Sequence, residues 1–419
     1  MPRITDVRVT PIAFRDPPLL NAMGIHEPYA LRSIIEVDVE GGVTGLGESY
    51  GDERFLHPMQ AIAPRLKGME VLDVNGLRRV VAEVAKDKPE ADNPFFRRGN
   101  ERIEARLVGA FEVAMMDAFG KGTDTRLCDL LGGAVRQSVP FSAYLFFKKG
   151  RHIDRPDLED EWGEVITPEQ LVGEAKRMCG AYGFGSIKLK AGAFPPEQEI
   201  EALEAVGEAF PGTPLRIDPN GNWHVHTTIR LLPRLEPLLE YLEDPTFSIP
   251  AMGLIQNATS LPLATNMCTV AFAHFPETIR LGAVRIVLAD HHYWGGLRAT
   301  ADLARICDTW GLGLSMHSNS HMGISLMAMT HAAAATPNLT YACDTHYPWQ
   351  TEEVIEGGRV RFEQGSVTLP DGPGLGVTLD KDALARLHEQ YTTCGIRKRD
   401  DGHQMQKYEP GWSPIRPRY

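Results

Sequence analysis

The sequence predicts an α/β protein: a closed barrel of β/α units joined to a smaller α+β domain. Three observations carry this. From about Val139 onward, short apolar runs alternate with amphipathic helical stretches, as parallel strands with helices between them require. Eight such runs occur, and no Gly-x-Gly-x-x-Gly turn follows the first, which favours a closed barrel over an open doubly wound sheet. The first third of the chain has a different texture, with longer β-rich segments ahead of helices.

In that first third, Ile4 to Phe14, Ser33 to Glu40 and Val43 to Glu48 read as strands, the last two joined across Gly41-Gly42 as a tight hairpin, so a three-stranded meander is expected. Helical patterns follow at Leu56 to Leu66, Val71 to Val84 and Glu101 to Gly120, the last rich in alanine and methionine. The barrel strands are expected at Val139 to Phe147, Ser186 to Lys190, Leu215 to Asp218, Leu239 to Glu243, Pro262 to Asn266, Val284 to Asp290, Gly313 to His317 and Leu339 to Asp344. After Asp344 no eighth barrel helix is evident, and the tail from about Gly374 is expected to pack elsewhere.

Composition sets limits on function. The 419 residues are 43% hydrophobic and 23% charged, and no apolar run is long enough to span a bilayer. With 43 Lys and Arg against 55 Asp and Glu, the net charge of −12 argues against nucleic acid or an anionic membrane as a partner. A small anion remains suitable if a divalent cation supplies local positive charge. The start, Met1-Pro2-Arg3-Ile4-Thr5-Asp6, has no secretory pattern, so the cytoplasm is the expected compartment. Six cysteines without metal or redox spacing read as reduced thiols, mostly buried. A homo-oligomer is expected, its order not set by the sequence.

Barrel enzymes place their chemistry at the carboxyl ends of the strands, and here nearly every strand candidate ends in polar residues. Lys188 and Lys190, two apart on the second strand, share a face; mutual repulsion is expected to lower their proton affinity and make a lysine usable as a base. Asp218, Glu243 and Asn266 end the third, fourth and fifth strands at intervals of 25 and 23 residues, an oxygen-donor set suited to Mg²⁺ as a joint pattern, although each alone reads more readily as a cap or loop residue. The sixth strand ends in Asp290-His291-His292 and the seventh in His317-Ser318-Asn319-Ser320-His321, so Asp290 is placed to fix the tautomer of His317, a second candidate base across the barrel from Lys190. A zinc hydrolase using His292, Asp290, His317 and His321 is disfavoured, because the first strand lacks the His-x-His pair such barrels carry.

Together the Lys188-Leu189-Lys190, Asp218-Pro219-Asn220-Gly221, Glu243-Asp244-Pro245, Ala264-Thr265-Asn266-Met267 and His317-Ser318-Asn319 motifs resemble the enolase superfamily, and within it the glucarate dehydratase branch. Asn21 to Tyr29, Tyr144 to Phe147, Asp344 to His346, Arg399 to Asp401 and Pro410 to Trp412 extend the resemblance over almost the whole chain. It implies a modified (β/α)7β barrel over 131–373, an α+β capping domain over 1–130, and a C-terminal segment, 374–419, completing that domain. It implies Mg²⁺ on Asp218, Glu243 and Asn266, and Lys190 and His317 as bases, with Asp290 and Asn319 in catalytic roles. Asn21, His26, Tyr144, Phe146, Lys188, Asn220, His346 and Arg399 would contact substrate. The implied reaction is dehydration of a dianionic hexarate, D-glucarate or L-idarate, to a 5-keto-4-deoxy acid; the alternatives are another aldarate such as galactarate, an epimerase, or a weakly active relative. The chain departs from the family's pattern at Ile103-Glu104, where a threonine pair is usual, at His291 in place of proline, and at Gly323 in place of aspartate.

Overall fold

The computed structural model describes residues 1–86 and 101–419. Three strands, β1 (Ile4–Arg15), β2 (Tyr29–Val39) and β3 (Val43–Tyr50), form the expected antiparallel meander in that order. Gly41 and Gly42 both take positive φ (96° and 79°), as a two-residue hairpin of the correct twist demands. Between β1 and β2 a small hairpin pairs Leu20–Asn21 with Gly24–Ile25. Helices α1 (Glu53–Ile62), α2 (Val74–Ala85) and α3 (Glu101–Gly122) follow. A Cβ on Gly45 would stand 2.0 Å from the Ala114 carbonyl oxygen and one on Gly47 2.7 Å from that of Ala110, so β3 is bare where the backbone of α3 lies on it.

The barrel strands are β4 (Ser138–Phe146), β5 (Ile187–Lys190), β6 (Leu215–Asp218), β7 (Tyr241–Glu243), β8 (Leu263–Thr265), β9 (Ile286–Ala289), β10 (Gly313–Met316) and β11 (Cys343–Asp344). They run parallel in the order β10-β9-β8-β7-β6-β5-β4-β11, each next to its neighbour in sequence except that β11 returns to β4. Thr340 and Tyr341 donate their backbone N–H groups to the Leu314 carbonyl at 3.0 and 3.2 Å, which nearly closes the ring between β10 and β11. Helices α4 (Pro168–Tyr182), α5 (Pro196–Ala209), α6 (Val225–Leu235), α7 (Ile249–Gln256), α8 (Phe275–Leu281), α9 (His291–Trp294), α10 (Leu297–Thr309) and α11 (Gly323–Ala334) cover it. Helix α4 shows the local logic: Thr167 and Gln170 form a capping box and Gly183 ends the helix in the left-handed conformation.

After β11 only a short 3₁₀ turn, Tyr347–Trp349, follows, and β12 (Ser366–Thr368) pairs antiparallel with β4. Helix α12 (Lys381–Thr393) then returns to the first sheet, where His388 Nδ1 and Gln390 Nε2 bond the carbonyls of Pro11 and Ala13 at 2.7 and 2.9 Å. Helix α13 (Asp401–Tyr408) precedes the last residues.

The two-residue period of the barrel strands sorts side chains between the two faces of the sheet. Leu189, Ile217 and Leu242 are buried in the main hydrophobic core, while Lys188, Lys190, Asp218 and Glu243 bond one another. Arg216, two residues before Asp218, stacks over the Tyr241 ring at 4.7 Å and forms a layer beneath. All six cysteines are free, four of them buried, and no described helix is long and apolar enough to cross a membrane.

Candidate active site

The carboxyl end of β5 delivers both lysines into a nest of acids. Lys190 Nζ lies 2.6 Å from Asp218 Oδ2. Lys188 Nζ lies 2.5 Å from Glu243 Oε2, 2.7 Å from Asp344 Oδ2 and 3.6 Å from Asp218 Oδ2. Two expectations for Lys188 are corrected here. Burial does pull its proton affinity down, but Asp344 and Glu243 outweigh burial and hold its pKa well above the ordinary lysine value. Nor does Lys188 reach the open cavity: its side chain has no exposed surface, because its ammonium is a counter-ion for three carboxylates beneath the floor. Asp344 is not legible as a partner for it in the sequence, since the eighth strand becomes the neighbour of the first only when the barrel closes.

Asp218, Glu243 and Asn266 stand at the ends of three consecutive strands, with 0, 0 and 6% of their surface exposed. Asn266 donates its amide N–H to Glu243 Oε1 at 3.0 Å, so its carbonyl oxygen is spent on neither carboxylate. With Asp244 and Asp344, four buried carboxylates crowd two ammonium groups. Burial, and repulsion from Asp218, Asp344 and Asp244, push the Glu243 carboxyl well above its ordinary range despite Lys188. The set is therefore rich in hard oxygen donors and short of positive charge, which fits a magnesium ion. Among the described residues, two clusters bring three His or carboxylate ligating atoms within 4.8 Å of one another, Asp16-His26-His346 and Asp290-His291-His292, but each contributes two imidazoles, a softer set.

On the other side of the cavity, His317 Nδ1 lies 2.9 Å from Asp290 Oδ2. The second oxygen, Oδ1, meets both the backbone N–H and Nδ1 of His292, at 2.9 and 2.8 Å. Burial alone would raise the Asp290 pKa; His292 and His317 overcome it and hold the carboxyl well below its usual range. An anionic Asp290 takes the proton on His317 Nδ1 as a hydrogen bond, leaving Nε2 as the basic atom. The His317 ring is stacked on Tyr293 at 5.3 Å.

Between the two sides lies a cavity of about 270 Å³. Lys190, Asn220, Asn266, His317 and Asn319 line its barrel side, and Asn21, His26 and Arg399 its outer side, with Tyr144, Phe146 and His346 between. Asp218, Glu243, Asp290 and Lys188 lie behind these. Asp16 anchors His26 (Nδ1 to Oδ2, 3.0 Å), and His26 stacks on His346 at 5.6 Å. Burial drives the His346 pKa down to about 3, so that ring is neutral. Arg399 makes a two-pronged pair with Asp401, which also accepts the Asn21 amide at 2.9 Å. Asn319 donates to the Tyr50 hydroxyl at 2.7 Å.

Met267, Tyr293, Asp401 and Arg416 also line the cavity, none of them anticipated as site residues from the sequence. Arg416 arrives from the C-terminal tail, donating to the Asn220 carbonyl at 3.0 Å and lying over the Phe247 ring at 5.2 Å; burial lowers its pKa to about 9. No motif announces it. The departures from the family's pattern have local causes in part. At Gly323, a Cβ would meet Ile355 Cδ1 at 2.6 Å and Glu353 Oε2 at 3.0 Å, and the Glu353 carboxylate already accepts the Gly323 N–H, so a second acid has no room. His291 is buried and lies 4.0 Å, ring to ring, from His292, its pKa driven well below the ordinary value by burial. Ile103 and Glu104 lie within α3, and neither lines the cavity.

Comparison with known proteins places this geometry. Residues 170–383 match the family described as "Enolase C-terminal domain-like". A Streptomyces coelicolor protein named "Probable glucarate dehydratase" is 47% identical over 426 aligned residues, covering 99% of each chain. An enolase from Pseudomonas fluorescens Pf0-1, solved with magnesium, potassium and tartrate, superposes with a TM-score of 0.97 at 54% identity, over 100% of this chain and 99% of that one. One from Thermobispora bispora, solved with magnesium and formate, does so with a TM-score of 0.96 at 50% identity over the whole of both.

Proposed function

This chain belongs to the enolase superfamily, and on that premise we propose that it is a Mg²⁺-dependent hydro-lyase acting on dianionic hexarates, converting D-glucarate, and its epimer L-idarate, to 5-keto-4-deoxy-glucarate. The observation that carries the reading is a single cavity holding an ammonium on one wall and an imidazole backed by a carboxylate on the other, above an excess of buried acids. The full-length 47% identity to the Streptomyces protein and the tartrate in the Pseudomonas structure support an acid-sugar ligand.

Asp218, Glu243 and Asn266 would hold the magnesium, which when bound supplies the positive charge that eases loss of a proton next to a carboxylate. Lys190 and His317 face the substrate carbon from the two walls. His317 Nε2 takes the proton from the carbon next to one carboxylate; the electron pair left behind forms a carbon–carbon double bond as the neighbouring hydroxyl departs. The imidazolium returns its proton to that hydroxide, so water leaves and the enol product settles to the ketone. Asp290 stabilises the imidazolium meanwhile. Lys190 reaches the opposite face of the same carbon and so serves the epimer. Arg399, Asn21 and His26, on the outer wall, would meet the distal end of the dianion.

The test is a panel of aldarates incubated with Mg²⁺ and scored for keto acid. Glucarate and idarate should both yield it, and His317→Asn should abolish turnover of glucarate; full activity in that variant would dismiss His317 as the base. Keto acid from galactarate but from neither of those two would move the substrate assignment.

A further inference from the structure

His292 stands behind the acid that holds the candidate base. Its Nε2 lies 2.8 Å from Arg32 Nη2 and 3.0 Å from Ser325 Oγ, while Nδ1 meets Asp290 Oδ1 at 2.8 Å. Arg32 comes from β2, 260 residues away in the chain. It sits opposite Tyr50 in the pairing of β2 with β3, on the face that also carries Glu48, and stacks over the Tyr50 ring at 4.8 Å. Arg32 Nε donates to Glu48 Oε1 at 2.8 Å. Glu48 in turn accepts the backbone N–H groups of Met322 and Ser325 at the start of α11, both at 2.9 Å. The row is sealed from water, with Arg32, Glu48 and His292 exposing 1, 2 and 3% of their surfaces.

A guanidinium carries only donors and keeps its proton at any ordinary pH. A ring nitrogen at hydrogen-bond distance from it must therefore offer a lone pair. His292 Nε2 is bare, its one proton sits on Nδ1, and that proton goes to Asp290. An imidazolium at this position would set N–H against N–H. The geometry points to Arg32 as a positioning residue for the reaction: by holding His292 in the neutral Nδ1–H form it leaves the negative charge of Asp290 uncompensated on that side, with Oδ2 reserved for His317 Nδ1–H. The inference rests on the reading of His317 as the base. A simple clamp between sheet and barrel would need only Arg32 and Glu48, with no contact to His292.

The groups that face His292 are Asp290 and His291 from its own segment, Arg32 and Tyr50 from the sheet, Ser325 from α11, and His321 from the loop before it. His291 and His321 are both driven toward the neutral form by burial, His321 to a pKa of about 4. Asp290 accepts from His292 Nδ1, and Arg32 donates to its Nε2.

Nitrogen-15 NMR of histidine-labelled protein between pH 6 and 8 reads the tautomer without any need for turnover. His292 should appear with Nδ1 protonated and Nε2 bare; a proton on Nε2, or an imidazolium, would overturn the inference. Kinetics supply a second arm. Arg32→Met should lower kcat by about 10- to 100-fold, the usual cost of losing a partner that orients an active-site group, with KM nearly unchanged. The acid limb of its pH profile should gain an ionisation that the wild type lacks. In Arg32→Met with His292→Asn, an amide that donates to Asp290 but cannot titrate, that ionisation should vanish and part of kcat return. A loss uniform in pH and not recovered by the second change would refute the positioning role. If Arg32→Met strands Glu48 and fails to fold, Arg32→Met with Glu48→Gln takes its place in the same measurements. No keto acid from any aldarate, together with the expected tautomer, would remove the reading of function and leave the Arg32–His292 arrangement standing.

Discussion

The two walls of the cavity are built on different plans. The lysine wall is made by the barrel alone: β5, β6, β7 and β11 each contribute a charged side chain, and every short contact of Lys188 and Lys190 is with another barrel strand. The imidazole wall is braced from outside, because Asp290 rests on His292, His292 on Arg32, and Asn319 on Tyr50, the last two supports coming from the N-terminal sheet. A closed barrel can concentrate charge by strand register, which brings Lys190 beside Asp218. Register cannot set the tautomer of a histidine. That needs a donor or acceptor of fixed kind on the far nitrogen, and here the N-terminal sheet provides it.

The comparison breaks most severely on the lysine wall. Glu243→Gln or Asp218→Asn removes a charge from the candidate magnesium site and should abolish Mg²⁺ binding in a calorimetric titration. Turnover should fall by about 10⁴-fold or more, as loss of several kcal/mol of charge stabilisation implies. Chelation of wild-type protein should do the same and be reversed by added Mg²⁺. If Glu243→Gln still binds Mg²⁺ with unchanged affinity, the excess of acids on this wall has another purpose.

On the imidazole wall, Asp290→Asn should leave Mg²⁺ binding intact and still cost about 10³- to 10⁴-fold in kcat, since an amide can hold the wrong tautomer of His317. The two variants together sharpen the contrast: one wall loses its ion, the other loses only the place of a proton. Equal loss of Mg²⁺ affinity in both would show that the walls are not separable.

The same division governs what is legible in the sequence. Strand periodicity places Lys188 and Lys190 on one face, and strand ends mark Asp218, Glu243 and Asn266, because a barrel turns local alternation into global position. The fold is legible for that reason, down to the missing eighth helix after Asp344. The burial of Lys188 under three carboxylates is not, since which acids converge on an axis depends on closure. Nor are Arg32, Glu48 and Tyr50 legible as supports: they read as ordinary alternating residues of a meander, and only the docking of sheet on barrel gives them a partner. Arg416 lies in a tail with no periodic signal at all, although its side chain ends at the cavity. As a cation on the wall of the site proposed for a dianion, it predicts a moderate effect. Arg416→Ala should raise KM by about 10- to 100-fold, the range for one hydrogen bond to a charged group, with kcat little changed.

The smallest expected effect lies on the outer wall and is one of stability. Burial would raise the pKa of Asp16, but the charge and hydrogen bond of His26, with help from Arg399, bring it down to about 2 from 3.8. A folded-state pKa below the unfolded value means that the unfolded chain binds the proton more tightly. The stabilisation is thus fully present above about pH 4 and is lost as pH falls toward 2. Its size is about 2 kcal/mol, from 1.4 kcal/mol for each pKa unit. Urea midpoints taken from pH 5 downward should therefore drop more steeply in wild type than in Asp16→Asn, where the amide cannot titrate. The barrel's lysine wall provides the control, since none of its groups touches Asp16. Parallel curves for the two proteins would mean that His26 holds Asp16 no better in the folded chain than water does in the unfolded one, and the outer wall would then lack the ion pair that orients His26 toward substrate.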